Sequence, residues 1–255
     1  MPPDSRHSVI VDLRAHFDRL EQGGRRRDRR VIPFEVPAID AHLPDGGLAT
    51  GALHEIAAAG NAAHDVAAAT LFAAGILARS SGPVLWCLKA HDLFAPGLAG
   101  VGLQPDRVIY AETGDEKTVL LVMEEGLRHG GLAGVVGEFT RLPTTAARRL
   151  QLAAETSGVL ALALPRGIAG GKPEDRADES TPATTRWQIG AEPSGPRVVE
   201  GLGRDRWRVA LTRCRGGASA EWILEACDAA GRLAVPADAT DRLAAATSPI
   251  FAIAG

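Results

Sequence analysis

"HEIAAAGNAAHDVAAAT", residues 54–70, joins an apolar run to a long Ala-rich segment through one short turn. That is the layout of strand, loop and helix, the frame of a phosphate-binding loop. A working loop of this kind curls glycine N–H groups around phosphates, sets a lysine on them and offers a Ser/Thr hydroxyl to magnesium. Here the turn holds Gly60 alone, and His64 and Asp65 stand where the lysine and the hydroxyl belong. Asp65 repels a triphosphate, and a neutral histidine is a poor substitute for a fixed positive charge. The degenerate site therefore comprises Gly60, Asn61, His64 and Asp65. Gly137 joins them, because the run "LAGVVGEFTRL" has it where a metal-organising acid should end the strand. Glu138 follows one place later, where strand alternation points it differently. The expectation is a loop that binds no nucleotide tightly, with no catalytic residue, metal or cofactor.

Outward from this stretch, strands are expected over 53–57, 84–88, 107–111, 133–137 and 159–164. Helices are expected between them over 62–79, 93–101, 115–129 and 144–156, the last capped by Thr144 after Pro143. Such alternation indicates parallel β-α-β units, and runs such as "VLWCL" suit a sheet buried on both faces. Ala67, Ala68 and Ala69 are expected to pack the loop's helix closely on that sheet. Residues 166–183 are Gly/Pro-rich and charged, and read as a loop. After them "TTRWQIGAE", "DRWRVALTRCRGG" and "AEWILEACDAAGRLAV" read as antiparallel strands extending the sheet, with Gly216-Gly217 in a tight hairpin.

Ahead of the body, Ile10, Leu13, Phe17 and Leu20 recur at helical spacing, predicting an amphipathic helix over 8–21. Gly23 and Gly24 stop it, and Arg25, Arg26, Arg27, Arg29 and Arg30 follow. A helix so short is marginal alone, so its stripe docks either on its own domain or on a partner chain. The chain divides into this helix and linker (1–34), a core (35–236) and a weakly apolar tail (237–255).

The 255 residues carry a net charge of -3, which argues against binding nucleic acid mainly by phosphate neutralisation. Weak DNA contact through Lys172 and the late-strand arginines stays open. Cys87, Cys214 and Cys227 are odd in number and far apart, indicating neither disulfides nor zinc. Cys87 reads as core. Charges interrupt the first apolar residues, and no apolar run approaches the roughly 20 residues of a membrane span, so a cytoplasmic protein is expected. Lys89, His91 and Asp92 form a further polar group, and His91 and Asp92 can meet His64 and Asp65 at one sheet edge, but no HExxH, CxxC or GxSxG pattern supports a site, and solvated loop chemistry is favoured. Trp187 and Trp207 sit beside arginines, an arrangement that either stacks bases or puts one strand face in the core; the core is favoured.

Several strings resemble the RecA-like recombinase core. "AIDAHLPDGGLATGALHEI" is similar to the lead-in to its phosphate loop, and "FAPGLAGVGLQPDRVIYAETGDEKTVLLVMEEGLRHGGLAGVV" follows its order of helix, strand, helix and strand. "GPVLWC", "EEGLRHGGLAGVVGE", "RRLQLAAETSGV", "ATTRWQI" and "WILEACDAAGRLA" resemble the ImuA family within it. The resemblance implies a RecA-like α/β core over about residues 35–230, a mostly parallel sheet flanked by helices with antiparallel C-terminal strands. It implies a non-catalytic role in SOS-induced mutagenic translesion synthesis, bridging ImuB, RecA and an error-prone DnaE-type polymerase, with the 8–34 region as contact. The first DNA-binding loop of RecA has only five residues left here, between Glu138 and Thr144, and Glu174, Asp175, Asp178 and Glu179 offset the basic residues of the second. Two other readings compete: a residual nucleotide-binding ATPase or switch, and a SulA-like inhibitor of cell division, against which the length speaks.

Overall fold

Two short strands, β1 (Val31–Ile32) and β2 (Leu48–Ala49), pair antiparallel ahead of the main sheet, with the one-turn helix α1 (Pro37–Asp40) between them. A computed structural model describes residues 30–90, 92–166, 181–194 and 204–236. The predicted helix over 8–21, its glycines, Arg25 to Arg29, His91, most of the charged 166–183 stretch and the tail lie outside the described residues.

The main sheet takes β3 (Leu53–Ala58), β4 (Val84–Leu88), β5 (Val108–Glu112), β6 (Gly134–Phe139) and β7 (Leu160–Pro165) from the alternating region. It adds β8 (Thr185–Glu192), β9 (Arg206–Cys214) and β10 (Ala220–Glu225), in the spatial order β10-β9-β8-β3-β7-β6-β4-β5. The connecting helices are α2 (Ala63–Ala78), α3 (Ala95–Gly100), α4 (Glu116–Arg128) and α5 (Thr144–Ser157). These strands and helices from the alternating region begin and end within two residues of their expected limits.

Burial on both faces follows from the apolar strands. On one face α2 packs Phe72, Ile76 and Leu77 among Trp86, Val136, Leu162 and Trp187. On the other, α4 and α5 pack Val119, Met123 and Leu150 among Cys87, Val135 and Ala161. Cys87 is a core residue, and burial pushes its thiol up to about 12. Asp115 caps α4, accepting from the Thr118 hydroxyl at 2.7 Å and from Thr118 N at 3.0 Å, which hold its carboxyl below the usual range. Arg107 closes the far end of α2, donating to the carbonyls of Leu77, Ala78, Ser80 and Gly82. A guanidinium there satisfies orphan carbonyls and opposes the negative end of the helix dipole.

Five expectations are corrected. β8 is parallel to β3, so the antiparallel pairings are β8 with β9 and β9 with β10, and β9 alone runs against the other strands of the main sheet. The 19 residues from 166 to 184 are long enough for a crossover, and a crossover returns a strand in the same direction. Thr144 is the first helical residue of α5 and caps nothing, because Pro143 occupies the cap. Residues 215–219 connect β9 to β10, longer than a two-residue hairpin, with Gly216 at φ +80°. Of the three alanines, Ala68 and Ala69 are buried but Ala67 faces out. The packed unit also starts at Val31 rather than residue 35: Phe34 is 1% exposed, within 5.7 Å of the Phe72 ring and 5.3 Å of the Trp187 ring.

Candidate functional site

The loop after β3 is fixed at both ends. Ala59 N donates to Ile189 O on β8 at 2.7 Å, and the first turn of α2 closes on Ala62 O. Gly60, Asn61, His64 and Asp65 lie together there, with Asn61 and His64 exposed. Asp65 does not face solvent. Its Oδ1 accepts from Ala191 N at the end of β8, 2.9 Å away. A Cβ built on Gly60 would lie 2.6 Å from Asp65 Oδ2, so the carboxylate is turned back across the loop. The side chain is 14% exposed, and His64 Nε2 is 3.7 Å from its Oδ1.

On magnitudes, this geometry opposes an added phosphate charge. A helix N-terminus attracts an anion by about 0.3–1 kcal/mol. A carboxylate about 4 Å from one added negative charge repels it by about 4 kcal/mol at an effective dielectric of 20. The cavity beside the loop, lined by Ile56, Ala58, Val66, Ala69, Thr70 and Arg166 among others, is only about 10 Å³. That is room for about one water, against the roughly 300 Å³ or more of a ligand pocket. Replacing Asp65 with Ala frees Ala191 N and is expected to cost about 1–3 kcal/mol in a urea melt. An unchanged midpoint would mean that the carboxylate does not hold the loop to β8.

Gly137 is not brought to this loop. β6 runs on to Phe139, so Gly137 lies inside the strand, and its missing Cβ would meet Met123 Sδ of α4 at 2.5 Å. It faces the α4 side of the sheet, and close packing there leaves no room for a side chain. Glu138 takes the opposite side, with Trp86 and α2. Its Oε1 accepts from Trp86 Nε1 at 2.7 Å, and Arg166 grips it with Nε at 2.8 Å and Nη2 at 2.7 Å. Both carboxylate oxygens are taken by the protein itself. Among the described residues no group of three or more His, Cys, Asp or Glu is placed to hold a metal ion.

Lys89 and Asp92 are exposed, and His91 lies outside the described residues. Trp187 and Trp207 are buried in the core, and Trp222 packs edge-on against His42, so none of these rings forms an open stacking platform. Arg186 pairs with Glu55 at 2.9 Å, Arg208 with Glu192 at 2.5 Å and Arg204 with Glu225 at 3.5 Å. Three arginines on or beside the late strands are thus paired with carboxylates. Arg30 is exposed.

The sequence reading missed two buried polar clusters. Glu55 is held by Arg186 and by the Thr181 hydroxyl. His54 is completely buried, its ring between Thr185 Oγ1 at 2.7 Å and Ala49 O at 2.8 Å. The signal was two adjacent polar residues, His54 and Glu55, inside an otherwise apolar strand, each of which needs a partner when buried.

No family model matches the chain. It is similar to a solved structure described as the crystal structure of the RadB recombinase, with a TM-score of 0.55 at 14% identity, over 75% of this chain and 93% of that one. Parallel strands, loop position and antiparallel extension define a RecA-like fold in which a carboxylate of the chain lies across the phosphate loop. Over 217 residues the chain is 41% identical to Protein ImuA from two strains of Caulobacter vibrioides, spanning 82% of this chain and 88% of that protein. The chain belongs to the ImuA family.

Proposed function

We propose that this protein is a non-catalytic RecA-like accessory factor of SOS-induced mutagenic translesion synthesis. It bridges ImuB, RecA and an error-prone DnaE-type polymerase in the cytoplasm. Membership of the ImuA family supports the mutagenesis role. The observation that carries the non-catalytic part is Asp65, whose carboxylate lies over Gly60 and bonds to Ala191 N where a nucleotide phosphate would be received. Glu138 adds to it, spent on Arg166 and Trp86 rather than left for a metal. No helix among the described residues is long and apolar enough to cross a membrane.

Two measurements test the reading. Titration with a fluorescent ATP analogue and magnesium, with RecA as positive control, is expected to show no saturation up to millimolar nucleotide. Saturable micromolar binding that Asn61→Trp removes would instead make the protein a nucleotide switch. In the second, Leu13→Asp with Phe17→Asp is expected to abolish co-purification with ImuB or RecA at an almost unchanged thermal midpoint. A large fall in that midpoint would assign the 8–21 stripe to the core.

A further inference from the structure

Between the C-terminal halves of α4 and α5 runs an open groove of about 560 Å³. Both helices connect parallel strands, so they lie side by side with the same direction. Glu124 stands in the groove with its side chain only 8% exposed, and both of its oxygens are occupied. Arg128 Nη2, from the same helix, lies 2.5 Å from Oε1, and Arg149 Nη2, from the facing helix, lies 2.5 Å from Oε2. The two arginine side chains are themselves 60% and 59% exposed. One turn beyond Arg149, Leu152 is 63% exposed beside the nearly buried Ala153.

A guanidinium carries five N–H donors in a rigid fork. Glu124 takes only part of what either arginine offers, and it fixes both heads in place. Two positive charges against one buried negative charge leave the groove positive around an apolar floor. Glu125 stands 3.7 Å from Arg128 but is 78% exposed, so solvent screens it.

We propose that this groove docks an acidic amphipathic segment of a partner protein. An apolar side chain rests on Leu152 and Ala153, and a neighbouring carboxylate takes the free N–H donors of Arg128 and Arg149. Charge complementarity selects the acidic partner, and arginines already held by Glu124 lower the ordering cost of binding. A nucleic-acid strand fits less well, because the floor is apolar. Occupation of the groove does not depend on the loss of nucleotide binding at the opposite face of the sheet.

The test is fluorescence anisotropy on the full chain with a short fluorescein-labelled helical peptide carrying Glu beside Leu and Phe, and its Lys-for-Glu counterpart. The acidic peptide is expected to saturate, to weaken as salt rises, and to lose at least about tenfold in affinity with Arg149→Glu and with Leu152→Asp. Arg149→Lys keeps part of the binding, since the charge stays but the fork is lost. Leu152→Asp changes an exposed residue, so it remains decisive even if Arg149→Glu lowers the thermal midpoint. Equal binding of the two peptides, or binding untouched by both variants, overturns the proposal. So does an oligonucleotide that binds more tightly than the acidic peptide and is lost with the same variants. Self-association that Leu152→Asp abolishes would assign the groove to a second copy, and overturns it equally.

Discussion

Replacing Arg166 with Met is expected to destabilise the protein by about 3–5 kcal/mol, because it strands the Glu138 carboxylate inside the sheet. Glu138 is 5% exposed and sits near the end of β6 on the α2 side, with Trp86 as a further hydrogen-bond partner. Arg166 is 27% exposed on its side chain, so water can reach the vacated place, and the lower end of the range is the better guide. For a chain of this size that amounts to a fall in thermal midpoint on the order of 10 °C. Combining Arg166→Met with Glu138→Gln should restore most of the loss, since the amide removes the charge yet still accepts from Trp86 Nε1. A double variant no more stable than Arg166→Met alone would show that the lost stability comes from packing rather than from the unpaired charge.

Phe34→Ala is expected to cost a similar 3–5 kcal/mol, although the residue stands just beyond an arginine-rich stretch that reads as linker. The ring closes a cluster with Phe72 and Trp187, whose own centroids are 5.6 Å apart, and Arg79 lies 4.9 Å above it. Arg79 also donates to Pro33 O, and burial depresses its pKa from the ordinary arginine value. Truncation therefore opens a cavity where the chain enters the core and removes the face on which Arg79 rests. Urea denaturation followed by the fluorescence of the four tryptophans, Trp187 among them, measures the loss. A change below about 1 kcal/mol would mean that the entering segment is held by β1 and β2 alone.

Both cases locate the limit of what the sequence discloses. Hydrophobic runs of strand length alternating with helical ones made the parallel body legible, because period and burial act locally. Asp65 was legible as hostile to phosphate, but its bond to Ala191 N joins residues 126 apart and has no local signature. The same holds for Glu138 and Arg166, brought together only by the pairing of β6 with β7. Gly137 was misplaced because β6 runs two residues further than its apolar run, carrying a paired charge inside a strand. The direction of β8 was available from the length of the preceding connection, but three similar runs in succession suggested a meander. Phe34 was cut from the core because composition changes at the arginines while packing starts immediately after them.

A loop that holds a carboxylate from its own chain has no empty state and no filled state to pass between. Nucleotide-driven assemblies keep time by such a passage, since loading and hydrolysis favour different arrangements of the same parts. Asp65 is part of the chain and bonded to Ala191 N, so on the function proposed above the loop's occupancy does not follow nucleotide supply. On that proposed function, the complexes of this scaffold form and dissolve by mass action, following how much of each component the cell makes and removes.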